Sequence, residues 1–317
     1  MPEHVFSRRQ FVRASSVAGA GFTIMPRHVF GGPKYRAPSD TLNVAHIGVG
    51  GMGRGDVQGM ANTGENIYAL CDVDDNQASS AWSAFPQAKR YRDFRVMLEH
   101  EAENIDAVVI STPDHTHAVA GMMALSLGKP TRIQKPLART MWEVQQLMSA
   151  AEVAGVATQM GNQGHAQEGT RQMREWYEAG AIGEILRVEY WTNRPIWPQA
   201  IHRPTDVHHV PPGLDWDLWL GPAPERPYHP AYAPFNWRGW WDFGTGALGD
   251  IACHAMDAAF WTFDLRMPER ISAESTTLFS ETAPASARIK YSFPIRGSRP
   301  AVEVVWRDGN LSPPRPE

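Results

Sequence analysis

The chain has 317 residues, long enough for two domains of ordinary size. Hydrophobic residues make up 43% and charged residues 20%, which excludes an intrinsically disordered chain. A formal charge of −4 gives no global attraction to nucleic acid or an anionic membrane, and two cysteines exclude a disulfide scaffold or a cysteine-rich zinc site.

The first segment carries the pair Arg8-Arg9, then Phe11, then an apolar stretch from 14 to 25 closed by Pro26. Paired arginines before a short, weakly apolar run resemble a twin-arginine export signal. That stretch has 12 residues, whereas a membrane span needs about 20. Residues 1–32 are therefore expected to be an address, cleaved between Pro26 and Gly32, and residues 33–40 a Pro/Gly-rich linker. The mature protein is expected in the periplasm or outside the cell, with no stable membrane span.

Residues 41–47 form a β-rich run leading into Gly48-Val49-Gly50-Gly51-Met52-Gly53, with G-x-G-x-x-G spacing. Gly48 suits a tight turn, Gly50 a close backbone approach to a pyrophosphate, and Gly53 close helix–strand packing. The amides of Gly51 and Met52 would open the helix towards the phosphates. A second strand at 66–71 ends in Asp72, 19 residues after Gly53, where a carboxylate would bind a ribose 2′-hydroxyl and repel a 2′-phosphate. NAD is expected over NADP.

The alternation continues. Helices are expected at 75–85 and 93–103, a buried strand at 105–111, and a helix running to 127. A short strand follows at 131–134. Thr140 and Glu143 have capping-box spacing before a helix that ends at Gly155, and 156–160 is the next strand. This pattern predicts a doubly wound parallel sheet over 41–165. Thr112, Pro113, His115, His117, Lys135 and Asn162 fall at the carboxyl ends of its strands, where ligands of such sheets sit.

From residue 166 a second, α+β domain is expected, with strands at 185–192, 270–277, 287–293 and 301–306. No helix separates the last three, so the sheet should be open and largely antiparallel. A long loop between Arg194 and Gly239 holds ten of the 25 prolines, and seven of the 12 tryptophans lie in or beside it. Loops of that length are usually functional or disordered, and this many tryptophans argue for packing. His202, His208, His209 and Asp206 are spaced too loosely for a metal site, and no metal is expected. In 249–257, a helix would put Asp250, His254 and Asp257 on one face. Cys253 suits a small core position.

Five segments together resemble the Gfo/Idh/MocA family, named for glucose–fructose oxidoreductase and inositol dehydrogenase. They are IGVGGMG (47–53), ALCDVD (69–74), STPDHTHA (111–118), QKPL (134–137) and GDIACHAMD (249–257). The likeness runs from residue 42 to 316. It implies NAD(P)-dependent oxidation of a hydroxyl on a sugar, cyclitol or related glycoside, with the site between the two domains. His254 would be the general base, Asp250 would orient it, and Lys135 would stabilise the developing alkoxide. Family members usually carry Glu where this chain has Gln134. Segment 215–224 and the export signal resemble a secreted subgroup. Members usually continue with more strand and a final helix, so this chain is expected to be truncated. Two copies would pair through the open face of the second sheet. Export implies a tightly held cofactor regenerated within one cycle. A redox-neutral NAD-using glycosidase or lyase, or a non-catalytic NAD-binding protein, are the alternatives.

Overall fold

The computed structural model describes Ala37 and residues 40–315; the expected export signal and nearly all of the linker lie outside the described residues. The first half is a six-stranded sheet, every pairing parallel, in the order β3-β2-β1-β4-β5-β6. Its strands are β1 (Asn43–Ile47), β2 (Asn66–Cys71), β3 (Lys89–Tyr91), β4 (Ala107–Ile110), β5 (Thr131–Gln134) and β6 (Thr158–Gly161). Between them run α1 (Gly51–Asn62), α2 (Asp75–Ala84), α3 (Phe94–Glu101), α4 (Asp114–Ser126) and α5 (Met141–Ala154). The period-two alternation of a strand explains why helices cover both faces. Leu70 packs with Val57 and Ala78, whereas its neighbours Ala69 and Cys71 pack with Met97 and Leu98.

Local chemistry sets the helix ends. Asp74 caps α2 by accepting the Asn76 amide at 2.9 Å, and Asp93 caps α3 through the Arg95 amide at 2.9 Å. Thr140 and Glu143 form the expected capping box on α5, and Gly155 closes that helix in the left-handed region at φ 63°.

The second sheet has the order β7-β10-β9-β8, from β7 (Arg187–Trp191), β8 (Arg270–Ser275), β9 (Ala287–Phe293) and β10 (Val302–Arg307). It is mixed. The β7–β10 pair is parallel because the long loop and helical segment separate them in sequence, and the other two pairs are antiparallel. Val304 and Trp306 turn towards Met256, Ala259 and Phe263 to make its core. The short edge strand β3 and helix α6 (Glu168–Glu178) have no counterpart in the sequence reading.

The proline-rich loop is a core of its own. Trp219, Tyr228, Tyr232, Trp237, Trp240 and Phe243 are buried together around the short helix α7 (Trp216–Leu220). Trp216 stacks on Trp219 with ring centroids 4.8 Å apart. Among the described residues, no helix is long and apolar enough to cross a membrane.

Candidate active site

The order of the first sheet reverses at β1 and β4, and a cleft of about 430 Å³ opens at their carboxyl ends. Such a reversal leaves a crevice because the two flanking connections run to opposite faces. Gly48 turns the chain there at φ 77°, and a Cβ on it would lie 2.7 Å from the Ser111 carbonyl oxygen. Gly53 packs α1 onto that turn, with a hypothetical Cβ only 1.9 Å from the Gly48 carbonyl oxygen. Gly50 abuts the Cβ of Gln77 on α2, so its lack of a side chain serves helix packing as well as any close ligand. Gly51 and Met52 line the cleft. Helix α1 begins without a side-chain cap and without an acid in its first turn, which leaves its amides to an anion.

Asp72 lines the same cleft. Its Oδ2 accepts the amides of Val49 and Gly50 at 2.8 and 3.1 Å, and its Oδ1 accepts the amide of Asp74 at 3.0 Å. Burial pushes its carboxyl above the usual range, opposed by those amides. A carboxylate has about four acceptor positions, so one remains for a hydroxyl. Arg92, the cation at this end, is paired with Asp75. The residues present therefore fit a dinucleotide whose ribose carries a free 2′-hydroxyl.

Thr112 and Pro113 line the cleft from the end of β4, as expected. His115 and His117 do not reach it, contrary to expectation. Both rings are buried, and all four ring nitrogens meet backbone carbonyls. Those of His115 face Phe243 and Trp219 at 3.3 and 2.9 Å; those of His117 face Pro136 and Thr112 at 2.7 and 2.9 Å. Burial lowers both pKa values, that of His115 to about 4; a neutral ring donates to only one of its two carbonyls, and either way both rings are committed to the backbone and not to the cleft.

At the other end of the cleft, Lys135 follows β5 and meets Asp250 from the second half. Its Nζ donates to Asp250 Oδ1 at 2.6 Å and to the Asp250 carbonyl at 3.0 Å. Both side chains are about 10% exposed, and an ammonium has three protons, so one is left for a reacting oxygen. Arg238 also reaches Asp250 Oδ1, at 3.2 Å, and the buried Asp114 at 3.4 Å. Thr245 completes Asp114 with a 2.7 Å hydrogen bond. Arg238 and Asp114 were not legible as site residues; a cation within the aromatic run 235–243 and an acid within 111–118 were the available signals.

The polar helix face is rearranged. Leu248–Ala252 forms a π-helical turn that passes into Cys253–Ala255, and the helix breaks at Met256 before α8 (Asp257–Thr262). Asp250, His254 and Asp257 therefore do not form one stripe. Asp257 pairs with His165 at 2.8 Å. Asp250 bonds Lys135 and Arg238 rather than His254, so the expected orienting role passes to Asn162, whose Oδ1 faces His254 Nδ1 at 2.9 Å. With that amide oriented so, Nδ1 carries the proton and Nε2 keeps its lone pair. The other end of the amide, Asn162 Nδ2, is buried with no partner among the described residues. His254 is not part of the cleft wall, yet it lies near enough for Lys135 and Asp250 to act on it. Burial, then the Lys135 charge, lowers its pKa from the usual value.

In the long loop, Asp206 accepts His208 Nε2 at 2.7 Å and His229 Nε2 at 3.2 Å, while His229 Nδ1 accepts the Ala231 amide. That tautomer gives His229 Nε2 the proton, so the trio fastens the loop by hydrogen bonds. Cys71 is buried in the sheet core; Cys253 is half-buried, and burial pushes its thiol upward.

Comparison with known proteins supports the same frame. Residues 42–162 match the model for the oxidoreductase family's NAD-binding Rossmann fold, and residues 188–298 match that for its C-terminal alpha/beta domain. An inositol 2-dehydrogenase of Salmonella paratyphi B is 28% identical over 184 residues, 53% of this chain and 54% of that protein. The chain thus spans about half the length of that relative. A D-apiose dehydrogenase of Paraburkholderia graminis is 32% identical over 120 residues, 38% of this chain and 32% of its own. The WlbA dehydrogenase from Bordetella pertussis, solved with NADH and UDP-GlcNAcA, superposes with a TM-score of 0.63 at 19% identity, covering 87% of this chain and 74% of that one. With both domain models matched in order across more than two thirds of its length, the chain belongs to the Gfo/Idh/MocA oxidoreductase family.

Proposed function

We propose that the protein is an NAD-dependent oxidoreductase acting on a hydroxyl of a sugar, cyclitol or related glycoside. The observation that carries this is the buried Lys135–Asp250 pair in the wall of the cleft that also holds the glycine turn and Asp72. The inositol and apiose dehydrogenase relatives support the substrate class.

When bound, the nicotinamide would supply the hydride acceptor. Gly48, Gly51, Met52, Asp72, Thr112 and Pro113 would hold the cofactor. Lys135 would donate its free proton to the hydroxyl oxygen and stabilise negative charge as it develops there. Asp250 holds the ammonium in place and aims it. His254, neutral at neutral pH and with Nε2 free, would take the hydroxyl proton. The twin-arginine pattern supports export, and export favours a cofactor that stays bound.

The test begins with the purified protein. Denaturation followed by mass analysis of the released nucleotide reports NAD or its absence. A screen of sugars and cyclitols for NADH formation follows, with the His254→Ala variant alongside. Loss of turnover with NADH binding retained is the expected result; turnover undiminished in the variant removes His254 as base. Glycoside release with no net NADH would mark the redox-neutral use of the same residues.

A further inference from the structure

The cleft is electrically lopsided. Its glycine end carries Asp72 and Asp74, with Arg92 committed to Asp75. Its other end carries three cations, Lys135, Arg194 and Arg238, against two carboxylates, Asp114 and Asp250. Lys135 and Arg238 share those two carboxylates. Arg194 has no acidic partner among the described residues, although it is partly buried.

Arg194 is also held in place. Its amide donates to Thr192 Oγ1 at 3.2 Å and its carbonyl accepts the Gly309 amide at 2.6 Å, just beyond the end of β7. Its guanidinium lies over the ring of Trp197, 5.8 Å from the centroid, and Arg238 lies 5.6 Å from the same ring. Trp197 is buried and is itself fixed by its indole N–H, which donates to Gln199 at 3.0 Å. The ring thus links Arg194 to the Arg238–Asp250–Lys135 chain through measured contacts. Phe235, 57% exposed, offers an apolar platform in the same cleft.

A partly buried arginine whose backbone is held, whose guanidinium lies over an indole and which has no carboxylate of its own is complementary to a carboxylate brought by a ligand. We propose that the substrate is an acidic sugar of the uronate type, its carboxylate held by Arg194 against Trp197. This rests on the reading of the cleft as a nucleotide and sugar site.

The test is a set of calorimetric titrations, with and without saturating NADH. The probes are D-glucuronate, D-galacturonate and D-mannuronate, each beside its neutral counterpart D-glucose, D-galactose or D-mannose. At least one acid is expected to bind about tenfold to a hundredfold tighter than its counterpart, the range of a charge-assisted hydrogen-bond pair. That ratio should fall to about one in R194Q and be partly kept in R194K, which has the charge without the fork. Equal binding of every acid and its counterpart, binding of none of the six, or a ratio unchanged in R194Q overturns the proposal. The wild-type comparison stands by itself if a variant fails to fold. A chain that binds NADH and shows no acid preference keeps the oxidoreductase reading and loses this one.

Discussion

Replacing Gln134 by Glu would restore the residue usual in the family and should nonetheless destabilise this protein. Gln134 is buried, and its Nε2 donates to Asp56 Oδ2 at 2.8 Å while its Oε1 accepts the Lys135 amide at 3.2 Å. Asp56 also takes Ser111 Oγ at 2.7 Å and pairs with Arg132 at 3.1 Å. A glutamate in the same pose would face a second carboxylate. Two unit charges at that separation repel by ~6 kcal/mol at an effective dielectric of ~20. Protonation is the cheaper escape. From an unperturbed pKa of ~4.3, holding the proton at pH 7 costs ~3.7 kcal/mol, and the acid can then donate to Asp56 as the amide does. The folded-state pKa of the new residue is thus raised. Its penalty is absent below pH ~4.3, grows by ~1.4 kcal/mol per pH unit above it, and levels off at the raised value. The expected loss is ~1 kcal/mol at pH 5 and ~3.7 kcal/mol at pH 7. Urea unfolding of both chains at pH 5, 6 and 7 measures it. A gap under ~0.5 kcal/mol at pH 7, or one that ignores pH, would refute the reasoning. The paired change Asp56→Asn with Gln134→Glu should recover most of the loss, because the same hydrogen bond then runs in the opposite direction.

Other outcomes are equally direct. With His254 as the base in its neutral form, kcat/KM should rise with pH through its lowered pKa, below the usual ~6.5. Asn162→Asp should move that rise upward by about one unit or more by favouring the imidazolium; an unmoved profile would remove His254 as the base. Asp72→Ala should weaken NADH binding and narrow the preference over NADPH, and fluorescence titration with an unchanged ratio would contradict its role. Lys135→Met should lower kcat about a hundredfold or more while NADH still binds; kinetics at saturating NAD and sugar read this. Gly53→Ala places a methyl into the Gly48 carbonyl and should abolish NADH binding. Gly55→Ala on the same helix meets nothing within 4 Å and should raise the thermal midpoint slightly.

Much of the fold was legible because periodicity and caps are local. Strands β2, β5 and β9 begin and end where the pattern places them, as does the box at Thr140 and Glu143. Edge strand β3 was not legible, since three residues, Lys89 to Tyr91, carry no alternation. Helix α6 carries an amphipathic pattern over Glu168–Glu178 but has no side-chain cap to mark its start. Gly48 and Asp72, singled out by spacing, and Lys135 and Asp250, singled out by the family resemblance, all line the cleft. The partners of Asp250 could not be read from the sequence. A π-helical turn is set by tertiary packing, and it alters which side chains meet. His115 and His117 differ from the sequence expectation for a related reason. Position at a strand end says that a residue is near a ligand crevice, but only the surrounding carbonyls decide whether its ring is committed elsewhere.

Those carbonyls have a consequence for engineering. The ring of His115, on the opening turn of α4, closes onto Trp219 and Phe243, which belong to the aromatic core of the other half. The seam between the halves therefore runs through the inside of a packed cluster and not along a wet surface. A chimaera that joins residues 43–161 to the second half of a relative would strand an imidazole and a carboxylate, Asp114, in a dry interface unless the donor brings matching carbonyls and a cation at position 238. Recombination in this protein is expected to succeed only where segment 215–245 travels with residues 111–118 as a single inherited block.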